Sequence, residues 1–199
     1  MPRHYRPIPH NAIRIEVPDT TQQTDYSCGA SSLQAIAKYF GVGPDDEPQF
    51  VKDTGMNHAV GAHPDEIEAA AHHYGLSCLI YEPMNLVQLR AELRQGHPVM
   101  VMIQAWGEVG KGSKARPRKD YANCWTEGHW VVAIGYDKEA VFFEDPSLQA
   151  VRGYLLNDEF DQRWHDTARH NRHVEHLGMA IWLPGCRRSV YATRAQRIQ

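Results

Sequence analysis

Residues 22–29 read QQTDYSCG and lead straight into a helical pattern. Leu33, Ile36, Ala37 and Phe40 recur at i, i+3, i+4 and i+7, and Gly41 supplies a stop. Cys28 therefore falls at or just before the first turn of a helix. Unpaired N–H groups and a partial positive charge gather there and favour the thiolate, the nucleophilic form of cysteine. Gly29 removes side-chain bulk beside the sulfur, so that a substrate backbone can approach it closely. Gln22, six positions upstream, carries an amide able to donate a hydrogen bond to an oxyanion formed beside the sulfur. The same stretch also suits a buried, inert cysteine at a helix start. The chemistry needs partners elsewhere in the chain.

A nucleophilic thiol needs a base, and the base needs an orienter. Of the twelve histidines, His129 is the one that leads directly into a buried strand pattern, HWVVAIGY over residues 129–136. Residues 137–139 suit a turn and residues 140–144 a second strand, closed by Asp145-Pro146. With Tyr136 paired near Ala140, His129 and Asp145 fall toward the same open end of the hairpin, within side-chain reach. Asp145 can then fix the imidazole tautomer and leave the second ring nitrogen to Cys28. Glu127 and Glu144 compete for the orienting role. Glu144 is disfavoured because side chains alternate along a strand and it should point away from the face that carries Asp145. Cys124 is the rival nucleophile, but no helix start follows it.

Around these residues the elements alternate in character. Residues 12–17 look like a short strand, and residues 49–52 like a short helix. Pro64 starts a helix with Asp65 and Glu66 in its first turn and a stripe of Ile67, Ala70, Ala71 and Tyr74. Residues 76–81 suit a strand, Asn85 caps a helix carrying Leu86, Leu89 and Leu93, and residues 99–103 (VMVMI) suit a strand buried on both faces. Residues 105–128 form a long loop with a basic cluster of Lys111, Lys114, Arg116, Arg118 and Lys119, either a solvated mobile segment or a flap recognising an acidic substrate or partner. Asn157 opens a helix with Phe160 and Trp164, followed by a polar segment bearing His165, His170, His173 and His176. No carboxylate or thiolate joins those histidines at ligand spacing, so no metal is expected. Residues 178–183 suit a last buried strand. Helices dominate the first half and strands the second, which predicts an α+β fold with a mostly antiparallel sheet.

Composition bounds the rest. The 199 residues suit one domain over residues 1–185, with residues 1–20 as an N-terminal extension and residues 186–199 as a basic tail. An apolar content of 42% and a charged content of 23% are those of a globular protein. A net charge of −3 argues against general nucleic-acid binding. No long apolar run marks a membrane span, and the N-terminus shows no apolar signal core, so a cytoplasmic location is expected. Cys28, Cys78, Cys124 and Cys186 lack paired spacing and are expected to be free thiols.

Taken in order, QQTDYSCG, GHWVVAIGYD and FFEDPS resemble the bacteriocin-processing cysteine peptidases of the papain-like clan, over residues 21–183. The resemblance implies a papain-like fold, with Cys28 as nucleophile, His129 as base, Asp145 as orienter and Gln22 as oxyanion-hole donor. The best-known members are fused to transporters and cut leader peptides after a double glycine. This sequence shows no transporter segment and is more similar to stand-alone relatives, so that specificity is not carried over. The expected activity is hydrolysis of a peptide or amide bond in a peptide or protein, through an acyl-enzyme and without cofactor. Two alternatives stay open: peptidyl or acyl transfer of the phytochelatin-synthase type, and a non-catalytic peptide-binding module on the same fold.

Overall fold

A computed structural model of the chain describes residues 5–57, 61–106, 108–109, 116–117, 120–186 and 194–198. After two short strands, β1 (Tyr5–Pro7) and β2 (Ile13–Arg14), comes the central helix α1 (Cys28–Phe40). Its apolar stripe is joined by small residues on the other faces, so that every position except Lys38 is buried. Such an all-round buried helix belongs in the middle of a core. Gly41 ends it in the left-handed conformation and returns its N–H to the carbonyls of Ala37 and Lys38.

Helices α2 (Glu47–Asp53) and α3 (Pro64–His73) pack beside α1. Pro64 occupies the first position of α3, and Glu66 returns its carboxylate to the His63 N–H at 2.9 Å. Strand β3 (Ser77–Tyr81) follows, then α4 (Leu86–Arg94), capped reciprocally by Asn85 and Gln88. The apolar run forms β4 (Val99–Gln104), buried along its whole length.

The second half builds most of the sheet. Residues 105–128, expected as a loop, contain a small hairpin of β5 (Glu108–Val109) with β6 (Arg116–Pro117) and a 3-10 turn at Tyr121–Asn123. Lys111, Lys114, Arg118 and Lys119 of the basic cluster lie outside the described residues. Then come β7 (Gly128–Tyr136), β8 (Ala140–Glu144), β9 (Gly153–Leu156), α5 (Asn157–Arg163), β10 (His165–Ala168), β11 (Arg172–Glu175), β12 (Gly178–Trp182) and β13 (Arg194–Arg197). The main sheet runs β1-β13-β9-β8-β7-β4-β12-β3, with β2 alongside β7. Its pairs are antiparallel except β13 with β9. The fold is thus α+β, as expected, with α1 laid against β7.

Three segments depart from expectation. The polar histidine segment is the β10–β11 hairpin, with His165 opposite Glu175 and Thr167 opposite His173. Strand β9 has too few alternating positions to announce itself beside the helix that follows it. Residues 194–198 do not trail away as a free tail but enter the sheet between β1 and β9. Ile198 is buried against Gly153, where a Cβ would lie 2.5 Å from Ile198 Cγ1, and its carbonyl accepts a hydrogen bond from Arg163 Nη1 at 3.0 Å. An arginine-rich strand near a sheet edge pairs through its backbone, so hydropathy does not signal it.

Candidate active site

Cys28 is the first residue of α1 and is almost buried. The preceding turn is closed by Ser27, whose hydroxyl accepts the Thr24 N–H at 3.1 Å. Gly29 serves a purpose other than the one its place beside Cys28 suggested. A Cβ there would lie 2.9 Å from Ala62 Cβ and 3.1 Å from Trp130 Cδ1, so the missing side chain makes room for an internal contact. Trp130 is held there by its indole N–H, which donates to Ala62 O at 3.0 Å.

His129 is the second residue of β7, opposite Ile103, and is 2% exposed. Its Nε2 lies 2.7 Å from Asp145 Oδ1, and the Cys28 side chain is near enough to the ring to act on its charge. With Nε2 given to Asp145, Nδ1 is the nitrogen left for the sulfur. Burial disfavours the charged imidazole, but the Asp145 charge and hydrogen bond, joined by those of Cys28, outweigh it and raise the pKa to about 10. The indole of Trp106 covers the ring, with centroids 5.2 Å apart.

Asp145 is buried just beyond the end of β8. Its Oδ1 accepts three hydrogen bonds: from His129 Nε2, from the Ser147 N–H at 2.9 Å and from Ser147 Oγ at 2.7 Å. Burial pushes its pKa up, yet His129 and Ser147 together hold it below the ordinary carboxylate value. The hairpin that brings the pair together is closed by Asp137 Oδ1, which accepts the N–H groups of Glu139 and Ala140. Its register differs from the one expected. Tyr136 stands opposite Val141, and an irregularity between Ala133 and Gly135 shifts the ladder so that Val132 faces Glu144. Asp145 therefore meets His129 diagonally.

Gln22 runs beside this segment, its N–H donating to Pro146 O at 3.0 Å. Its side-chain Nε2 donates to Thr24 O at 2.7 Å. The structure thus brings Cys28, His129 and Asp145 into one row, hydrogen-bonded between His129 and Asp145, with Gln22 alongside and its amide turned onto its own loop. The rivals sit elsewhere. Cys124 has its sulfur 3.9 Å from Thr126 Oγ1, and its carbonyl accepts from His165 Nε2 at 2.7 Å. Glu144 is fully buried, and its Oε1 accepts from the Thr20 N–H at 2.9 Å; burial raises its pKa to about 8.

Residues 14–171 match the profile of the Peptidase_C39 like family. The chain belongs to that family. Solved structures agree in fold. A putative C39-like peptidase from Bacillus anthracis is 17% identical, covers 90% of this chain and 99% of its own, and superposes with a TM-score of 0.60. The peptidase domain of Streptococcus ComA, a bi-functional ABC transporter involved in quorum sensing, gives 16% identity, coverage of 83% and 98%, and a TM-score of 0.55. A double glycine motif protease from an AMS/PCAT transporter, solved in complex with the leader peptide, gives 19%, coverage of 88% and 96%, and 0.54. A search of curated proteins finds no significant match.

Within this C39-like fold the sequence did not single out several residues that surround the row. Gln104 is buried, accepts the Glu127 N–H on Oε1 at 3.0 Å and donates Nε2 to Asp166 Oδ1 at 3.1 Å, which ties the chain just before His129 to β10. Glu47, Ser31 and Thr20 form a second buried set behind Gln22. Their signal in the sequence is faint: polar residues at positions that the helical stripe and the loop pattern leave to solvent. The histidines of β10 and β11 are spent on packing, with Trp125 stacked on His173 at 3.8 Å between centroids.

Proposed function

We propose that the protein is a cysteine peptidase that cleaves a peptide or amide bond through an acyl-enzyme formed on Cys28. The observation that carries the reading is the placement of Cys28 at the start of α1 beside a buried imidazole that is hydrogen-bonded to Asp145 at 2.7 Å. An imidazole held charged beside a thiol favours the thiolate–imidazolium pair. The Cys28 sulfur attacks the substrate carbonyl carbon, and the carbonyl oxygen takes up the negative charge. The Cys28 N–H at the start of α1 and the second amide hydrogen of Gln22 donate to that oxyanion. His129 passes its proton to the leaving amine as the C–N bond breaks, which leaves a thioester on Cys28. Water, deprotonated by His129, then releases the acid and restores the thiol. Asp145 keeps the imidazole in the productive tautomer throughout.

A peptide substrate is favoured because one solved relative was captured with a leader peptide, although double-glycine specificity does not follow from a 19% identity. Among the described residues no helix is long and apolar enough to cross a membrane. Four free thiols suit a reducing compartment, and we place the enzyme in the cytoplasm.

Brief iodoacetamide treatment at pH 6, mapped by mass spectrometry, tests the nucleophile. Cys28 should be alkylated first, and Cys28→Ala and His129→Ala should each abolish cleavage of a random peptide library. Cys78 should react last, since burial pushes its thiol up to about 12. First labelling at Cys78, Cys124 or Cys186 would overturn the assignment.

A further inference from the structure

The buried hydrogen bonds behind the proposed site converge on Ser31, one turn into α1 from Cys28. Ser31 is fully buried and held at both of its oxygens. Its hydroxyl donates to Glu47 Oε1 in a short bond, and its carbonyl accepts Thr20 Oγ1 at 3.0 Å. Glu47 opens α2 and is 3% exposed. Its carboxylate also receives the Gln23 N–H, at 3.2 Å on Oε1 and 3.0 Å on Oε2. Thr20 meets Glu144 Oε1 through both its N–H and its hydroxyl. Gln22 therefore sits between two anchored positions, Thr20 and Gln23, with its own N–H fixed on Pro146 O.

A buried carboxylate is a poor way to gain stability. Its desolvation is offset only when its oxygens are well paired, and apolar residues of similar volume commonly do better. The merit of Glu47 is geometric. One rigid group reaches two separate pieces of chain: the arm that carries Gln22, through Gln23, and the turn that carries Cys28, through Ser31. Any change in the carboxylate alters the gap between them.

We propose that Glu47 is a positioning residue of the hydrolytic site, holding the Gln22 arm and the Cys28 turn at the spacing that oxyanion stabilisation requires. The inference rests on the reading of Gln22 as an oxyanion donor. In none of its contacts does Glu47 meet the thiol, so its effect is transmitted through Gln22 and has a particular signature. Attack on an ester carbonyl places charge on oxygen. Attack on iodoacetamide displaces iodide from a saturated carbon and creates no oxyanion. Glu47 should matter for the first reaction and not for the second.

The experiment compares acylation of Cys28 by p-nitrophenyl acetate, read as the release of p-nitrophenolate, with alkylation by iodoacetamide. It uses Gln22→Ala, Glu47→Ala, Glu47→Gln and the double variant Gln22→Ala/Glu47→Ala. Gln22→Ala should slow acylation about 100- to 1,000-fold, the range known for loss of one oxyanion donor. Glu47→Ala should approach that loss, and the double variant should be no slower than Gln22→Ala alone, the non-additivity of groups acting through one another. Glu47→Gln keeps one acceptor oxygen and should fall in between, which also covers a poorly folding alanine variant. Alkylation should stay within about twofold of the parent in all four.

Parental acylation in both Glu47 variants would overturn the proposal. So would losses that multiply in the double variant, or alkylation that falls in step with acylation. Parental acylation in Gln22→Ala would overturn it together with the oxyanion role of Gln22. Rapid alkylation of Cys28 in that case would leave the nucleophile assignment standing, so the two failures are distinguishable.

Discussion

Asp145 and Glu144 are chain neighbours with opposite habits. Strand alternation sends Asp145 to His129 and Glu144 to Thr20, so one carboxyl is stabilised as an anion and the other is held as an acid. Asp145→Asn should lower kcat/KM by about 10- to 10⁴-fold while the fold survives, because the amide favours the wrong imidazole tautomer. Glu144→Gln should stay within a few-fold in kcat/KM, since a neutral side chain already suits that site. Its mark should appear in stability against pH. The folded-state pKa of Glu144, about 8, stands above the ordinary 4.5. Its contribution to stability is therefore complete below about pH 4.5 and lost as pH rises through about 8. Thermal melts at pH 6 and pH 9 should show a smaller alkaline loss in Glu144→Gln than in the parent. A crippling Glu144→Gln beside a silent Asp145→Asn would reverse the roles assigned to the two residues.

At the scale of elements, the placement of His129 depends on how β7 begins. Gly128 has no room for a side chain: a Cβ there would lie 2.1 Å from Asp166 Oδ2, on β10. Gly128→Ala must therefore displace the Asp166 carboxylate, which Gln104 and the Thr167 N–H hold, or push the start of β7 away from β10 and carry His129 with it. Overpacking of this kind costs about 1–3 kcal/mol. The variant should lose both melting temperature and acylation rate, and Asp166→Ala in the same chain should restore part of each. An alanine variant that melts and acylates like the parent would show that β10 yields instead. This part of the site was not legible in the sequence. Helix α1 was, because thirteen residues with a regular stripe and a glycine stop leave little choice. The β7–β8 hairpin was legible in its existence but not in its register, because an irregularity between Ala133 and Gly135 shifts the ladder, beside β2 where a Cβ on Gly135 would lie 2.4 Å from Ile13 O. The β10–β11 hairpin was hidden because it carries His165 and Asp166, which are held by Cys124 O and by Gln104 rather than by an apolar core.

Across the whole molecule, the α+β class followed from the order of helical and strand patterns, and the row of Cys28, His129 and Asp145 followed from three short motifs. The outer strands did not, since backbone pairing carries no signature in side-chain type. Residues 5–7 and 194–197 belong to that unannounced part, and their pairing bears on how the polypeptide can be wired. Tyr5 stands opposite Gln196 and Pro7 opposite Arg194, in antiparallel register. The two ends of the described chain thus lie one strand spacing apart, about 5 Å. A circular permutant that joins them through a short glycine-rich linker and opens the chain in the exposed turn at residues 43–46 should keep its fold, its reactive thiol and its cooperative melting. If the permutant fails while the linker-joined circle folds, the new opening is at fault. If both fail, the ends are not neighbours in solution. If both succeed, the order in which these elements are connected is incidental to the architecture, and a second domain could be inserted at that turn.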